Sequence, residues 1–216
     1  MRTLNKQTKA FTMIELVFVI VVLGILAALA MPRLDRDLRQ EAADNILSAI
    51  RYTQHLALND DKTDPFDTNW QKELWQIRFT VSADNKATFY TISSDQDQDG
   101  FVDKSETAID PINGHYMYNA SGATVDMDSD ESPNIFIGKK YGINSLTLNG
   151  GCTVQHLAFD HLGRVHTGIG SATNTYDKYM SSDCTMTFGF ADGSDNLDII
   201  IAKETGYAYI VGQEDS

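Results

Sequence analysis

The chain has 216 residues, room for one soluble domain with its own core and an additional segment, and not for two large domains. Thirty acidic against 17 basic residues give a formal charge of −13, which excludes a general binder of nucleic-acid backbone, because counterion release needs clustered Lys and Arg. Only two cysteines occur, Cys152 and Cys184, and they form no CxxC pair, so no redox dithiol is encoded.

The first ten residues, MRTLNKQTKA, carry Arg2, Lys6 and Lys9 and no acid. Leu16 to Met31 then runs for 16 residues without a charge, and Phe11 to Ile14 extend it to about 20, enough to cross a hydrocarbon core as a helix. The basic end holds the cytoplasmic side and sends the carboxyl terminus outward. A secretory signal peptide cut after Ala28-Leu29-Ala30 is the competing reading. Glu15 opposes it, because a carboxylate in the bilayer costs about 2.5 to 3.5 kcal/mol and a disposable signal has no reason to bear that. Leu34, Leu38, Ala42, Ile46 and Ile50 continue a helical spacing past such a cut, which would leave the mature chain starting in mid-helix. Gly24 and Pro32 bracket the weakest part of this helix, one through backbone entropy and the other through a missing N–H.

From Phe11 to about Ala57 the helix would be about 70 Å long, its second half amphipathic. Asn59 to Asn69 breaks it, with Asp60, Asp61, Asp64 and Pro65 supplying turn chemistry. Leu74–Val81 and Ala87–Ile92 read as a hairpin around residues 82–86. Later strands are expected at Ile135–Ile137, Ser145–Leu148, Val154–Phe159, Arg164–Thr167, Thr185–Phe190, Leu197–Ala202 and Tyr207–Val211. The expected class is α+β, a long amino-terminal helix laid on antiparallel sheet.

Between the hairpin and the later strands, Asp95-Gln96-Asp97-Gln98-Asp99-Gly100-Phe101-Val102-Asp103-Lys104-Ser105-Glu106 meets the D-x-D-x-D-G-x5-E pattern in full. Calcium takes six to eight oxygens, and here Asp95, Asp97, Asp99, the Phe101 carbonyl, Asp103 and a bidentate Glu106 would supply them, with Gly100 permitting the turn. A structural Ca2+ is therefore expected, a solvated acidic turn being the alternative. Asp126, Asp128, Asp130 and Glu131 lack the sixth-position Gly and read as a solvated turn. His156, His161 and His166 fall in no zinc spacing and read as surface or satisfied histidines. No nucleophile elbow, Walker loop or dinucleotide fingerprint occurs, so an enzyme is not expected. If the anchor points outward, Cys152 and Cys184 lie in an oxidising compartment and a disulfide is expected, with two separate buried thiols as the alternative.

The stretch Ala10-Phe11-Thr12-Met13-Ile14-Glu15, followed by LVFVIVVLGILAALAMP, resembles the class III signal of type IV pilins and type II secretion pseudopilins. Ala10 stands where that family usually has Gly. The resemblance implies cleavage between Ala10 and Phe11 by the prepilin peptidase/N-methyltransferase and methylation of the new Phe11 amine. It also implies assembly through the helix, with Glu15 pairing to the Phe11 amine of a neighbouring subunit and with loosening from Gly24 to Pro32. Loss of the leader would leave 14 basic against 30 acidic side chains, a formal −16. Phe159–Arg164 and Ile201–Gly206 resemble turn elements of minor pseudopilins of the H type.

The organisation expected is a leader at 1–10, a membrane and assembly half at 11–32, an amphipathic half at 33–58 and an exported β-rich domain at 59–216. The function implied is that of a minor pilin or pseudopilin, anchored in the bacterial inner membrane, whose partners are other such subunits. An exported calcium-binding adhesin on a pilin-type anchor is the alternative.

Overall fold

The computed structural model describes residues 12–82, 88–120, 126–152, 154–171 and 177–214, and of residues 28–37 the backbone alone. The chain divides into two compact units, Met1–Gln40 and Glu41–Ser216, and helix α1, Met13–Leu58, contributes to both. The class is α+β, one long helix followed by antiparallel sheets.

In the second unit α1 turns one stripe inward: Ala42, Ala43, Ile46, Leu47, Ala49, Ile50, Thr53 and Ala57 are buried, while Glu41, Asp44, Ser48, Arg51 and His55 are exposed. That is the spacing of an amphipathic helix. Among the described residues eight strands follow: β1 (Trp75–Val81), β2 (Thr88–Ser93), β3 (Ile143–Gly150), β4 (His156–Phe159), β5 (Val165–His166), β6 (Cys184–Phe190), β7 (Leu197–Ile201) and β8 (Ala208–Ile210). They form two four-stranded sheets, ordered β2-β1-β4-β5 and β3-β6-β7-β8, with every pairing antiparallel. In β6 and β7 every second residue is buried, so each strand gives one face to the core. Both sheets and the helical stripe share one cluster, and Phe79 of the first sheet meets Phe188 of the second edge-on at 5.3 Å.

Residues 135–137 are not a strand. Pro133–Ile135 is a 3-10 helix and Ile137 opens the short helix α2 (Ile137–Tyr141). The cause is local: the Ser132 hydroxyl accepts the Asn134 amide, and Pro133 at the first helical position needs no donor partner.

Between β2 and α2 a long connection is held by polar contacts. Thr107 bridges Ser93, and the Ala108 amide donates to the Ile92 carbonyl at 2.8 Å, which adds this segment beside β2. Asp110, buried, accepts from Ser132 Oγ, from Asn134 Nδ2 at 2.8 Å, from Asn113 Nδ2 at 3.1 Å and from the Ile112 amide at 2.8 Å. Burial raises its pKa, and these bonds more than offset that, leaving the carboxyl below its ordinary range.

Cys152 and Cys184 are disulfide-bonded, with Cα atoms 5.1 Å apart, so the end of β3 is tied to the start of β6. For a loop of this size the chain-entropy stabilisation is about 3 to 4 kcal/mol. Gln54 of α1 ties two turns together, its Nε2 donating to the Gly163 carbonyl at 3.0 Å and to the Thr205 carbonyl at 2.8 Å. The fragments Phe159–Arg164 and Ile201–Gly206 therefore meet, and Gly206 sits there at φ 67°, where an added Cβ would come 2.4 Å from the Gly163 carbonyl oxygen.

Candidate assembly motif and candidate metal centre

The acidic loop leaves β2 through Ser94, whose hydroxyl donates to the Glu73 carbonyl. Gln98 at φ 60° and Gly100 at φ 87° turn the backbone back on itself. Each of the first three carboxylates uses one oxygen to accept a loop amide: Asp95 Oδ2 from Gly100 at 3.0 Å, Asp97 Oδ1 from Asp99 at 3.1 Å, and Asp99 Oδ1 from Phe101 at 2.7 Å. The folding brings Asp95, Asp97 and Asp99 together, with one oxygen from each lying within 4.8 Å of the others. Asp95 is 5 % exposed, and its Oδ1 is buried with no hydrogen-bond partner. Burial first, then the charges of Glu106, Asp99 and Asp97, raise its pKa against the Gly100 bond.

Asp103 and Glu106 stand outside that group. Glu106 instead closes the loop, its Oε1 accepting the Gln96 amide at 2.8 Å and its Oε2 the Asp103 amide at 3.0 Å. The Phe101 side chain points to solvent, 76 % exposed. The second acidic segment is no free turn: Lys104 Nζ reaches Asp130 at 2.9 Å, Asp128 at 3.2 Å and Glu131 at 3.6 Å. Glu131 is buried and also accepts from Asn119 Nδ2 at 2.8 Å. The acidic loop forms one wall of a cleft of about 560 Å³ whose other lining includes Arg78, Thr91, His156 and Asn119.

At the other end of the chain, the Thr12 amide and hydroxyl each donate to Glu15 Oε2 at 2.9 Å, and the Glu15 amide donates to Thr12 Oγ1 at 3.3 Å. This is a capping box, and its T-x-x-E signature is legible in the sequence as a helix start. From Met13 to Ala27 every residue except Glu15 and Gly24 is apolar, and every one is exposed. A Cβ on Gly24 would meet only open space, and α1 is continuous through Gly24 and Pro32. Ala10 and Phe11 lie outside the described residues. Among the described residues no helix is long and apolar enough to cross a membrane.

Residues 5–31 match the prokaryotic N-terminal methylation motif. This is the class III prepilin signal, and the match is consistent with the type IV pilin and pseudopilin family. No curated protein and no solved structure matches the chain. The methylation motif is that of exported subunits of pilin type, and the exposed apolar helix surface from Met13 to Ala27 lies within the matched residues.

Beyond the methylation motif, the three histidines do not converge on a metal site among the described residues. His156 and His161 are partly exposed, and His166 is not. His166 is fully buried, with Nδ1 3.3 Å from Gln71 Oε1 and Nε2 3.3 Å from Asp160 Oδ2. His156 Nε2 is buried without a hydrogen-bond partner, and burial, then the Arg78 charge, holds its pKa down to about 4. His161 Nδ1 lies 2.9 Å from Asp61 Oδ1. The sequence left open whether each is a surface or a satisfied histidine, because a histidine in a short strand carries no local sign of what covers it.

Proposed function

We propose that the chain is a structural subunit of a type IV pilus or a type II secretion pseudopilus, in a minor role, anchored in the bacterial inner membrane before it joins the filament. The observation that carries this is the methylation motif at residues 5–31, in which Glu15 is the fifth residue counted from Phe11. Residues 1–10 are the leader that a prepilin peptidase removes before Phe11, residues 11–32 the membrane and assembly half of the helix, residues 33–58 its amphipathic half, and residues 59–216 the exported domain. In the membrane the apolar side chains from Met13 to Ala27 face lipid. In the filament they face the helices of other subunits, and the Glu15 carboxylate meets the methylated amine of a neighbour's Phe11. The basic leader sets the topology, with the carboxyl terminus outward, where the disulfide persists.

Mass spectrometry of protein extracted from membranes tests this. The expected amino-terminal peptide begins with N-methyl-Phe11. A chain that begins at Met31, or one that keeps residues 1–10 in working assemblies, overturns the proposal.

A further inference from the structure

We propose that the acidic loop 95–106 binds a calcium ion through Asp95, Asp97 and Asp99, and that the bound ion, acting through Lys104, fixes the separate acidic segment 126–131. This does not depend on the filament reading.

Oxygens that bind calcium sit 2.3 to 2.6 Å from it, so two ligands of one ion are at most about 5 Å apart. Three carboxylates with an oxygen each inside a 4.8 Å spread meet that condition. The independent sign is Asp95. It is 95 % buried, one oxygen is taken by the Gly100 amide, and the other faces no donor at all. A buried carboxylate oxygen left unpartnered is costly, and a cation beside it removes the cost. Asp97 and Asp99 are exposed, so water can complete a shell of six to eight oxygens. Glu106 reaches the ion only by giving up the amides it now accepts from.

The loop has one cation of its own, and it is turned away. Lys104 Nζ is engaged by Asp128, Asp130 and Glu131, so the charge of Asp95, Asp97 and Asp99 is left for something else to balance. On the opposite flank Gln98 Nε2 donates to Asp67 and Glu73. The loop is thus tied on both sides, and its shape decides where Lys104 stands. With the ion bound, Lys104 is held against the segment and the buried Glu131 keeps its cationic neighbour. Without it, repulsion among the carboxylates opens the loop and withdraws Lys104.

The test uses the full mature chain in mild detergent, stripped with a chelator and titrated with CaCl2 in a calorimeter. Saturable binding with a dissociation constant at or below about 1 mM, the range of extracellular calcium modules, is expected. The Asp97→Asn/Asp99→Asn variant, altered only at exposed positions, should bind at least tenfold more weakly. Absence of heat, equal heats for the two proteins, or equal affinity for MgCl2 would overturn the site. Amide hydrogen exchange reads the coupling: calcium should slow exchange in residues 126–131 at least fivefold in the wild type. In Lys104→Met it should bind without that protection, and protection that survives in Lys104→Met would overturn the link to the segment.

Discussion

Replacing Asp160 with Asn removes one buried charge while keeping the size of the side chain and one accepting oxygen. Asp160 is fully buried and accepts from the Leu162 amide at 3.0 Å, the Arg164 amide at 2.9 Å, Arg164 Nε at 2.8 Å and Arg164 Nη2 at 2.7 Å, with His166 Nε2 at 3.3 Å. Asn can still accept both amides, so what is lost is the charged part of the cluster. Breaking a buried ion pair costs about 3 to 5 kcal/mol. The Arg164 side chain is 40 % exposed and recovers some hydration, which lowers the expected loss to about 2 to 3 kcal/mol. With a urea slope of about 1 to 3 kcal/mol/M, the unfolding midpoint of the detergent-solubilised chain should fall by about 1 M at pH 7. The pH dependence is a separate check. Burial would raise the Asp160 pKa, but hydrogen bonds from His166 and Arg164 hold it down to about 2, against 3.8 in an unperturbed aspartate. Its contribution is complete above pH 3.8 and is lost as the pH falls toward 2, which amounts to about 2 kcal/mol. The wild-type advantage over the Asn variant should shrink across that window. An unchanged midpoint at pH 7, or an advantage that does not move between pH 4 and pH 2, would refute the assignment of a buried anion to this turn.

His156 acts at milder acidity. Its pKa of about 4 in the folded chain lies below the ordinary 6.5, so the unfolded chain takes up a proton first as the pH drops. Stability should fall between pH 6.5 and pH 4 by about 2 to 3 kcal/mol, and urea midpoints of His156→Gln should lose most of that slope. Gly206→Ala places a Cβ 2.4 Å from the Gly163 carbonyl oxygen at a positive φ, and thermal unfolding should report a loss of about 1 to 3 kcal/mol.

The amphipathic half of α1 and most strands were legible because each turns one face to a single core, and such burial leaves a period in the sequence. Thr185 to Phe190 and Leu197 to Ala202 alternate in that way, and β6 and β7 lie there within one residue. The connection between β2 and α2 was not legible. It coheres through Asp110, whose partners Ser132 and Asn134 are 22 and 24 residues away, and through Lys104, whose partners Asp128 and Asp130 are 24 and 26 away. Contacts of that kind follow no period, so a lysine within an acidic loop and a later acidic run look unrelated until the chain is folded. The candidate metal loop was readable as a motif, while the diversion of Glu106 to loop amides was not, since the pattern fixes residue types and leaves rotamers free.

Glu15 illustrates how one residue can satisfy two readings, and a single substitution separates them. In the isolated chain its carboxylate accepts from the amide and hydroxyl of Thr12, which is ordinary helix capping and needs no second subunit. Gln accepts the same bonds, so Glu15→Gln keeps the helix start while removing the charge. Glu15→Ala removes both, at a capping cost of about 1 kcal/mol. Pairing with a cationic amine depends on the charge alone. Pairing therefore predicts that the two variants are processed normally and fail alike when the filament fraction is pelleted and immunoblotted against the membrane pool, although the Gln variant retains wild-type helical ellipticity. If capping were the whole role, Gln would enter filaments at the wild-type level and only Ala would fall short. Wild-type incorporation of Glu15→Gln would thus refute the pairing role while leaving the helix cap intact.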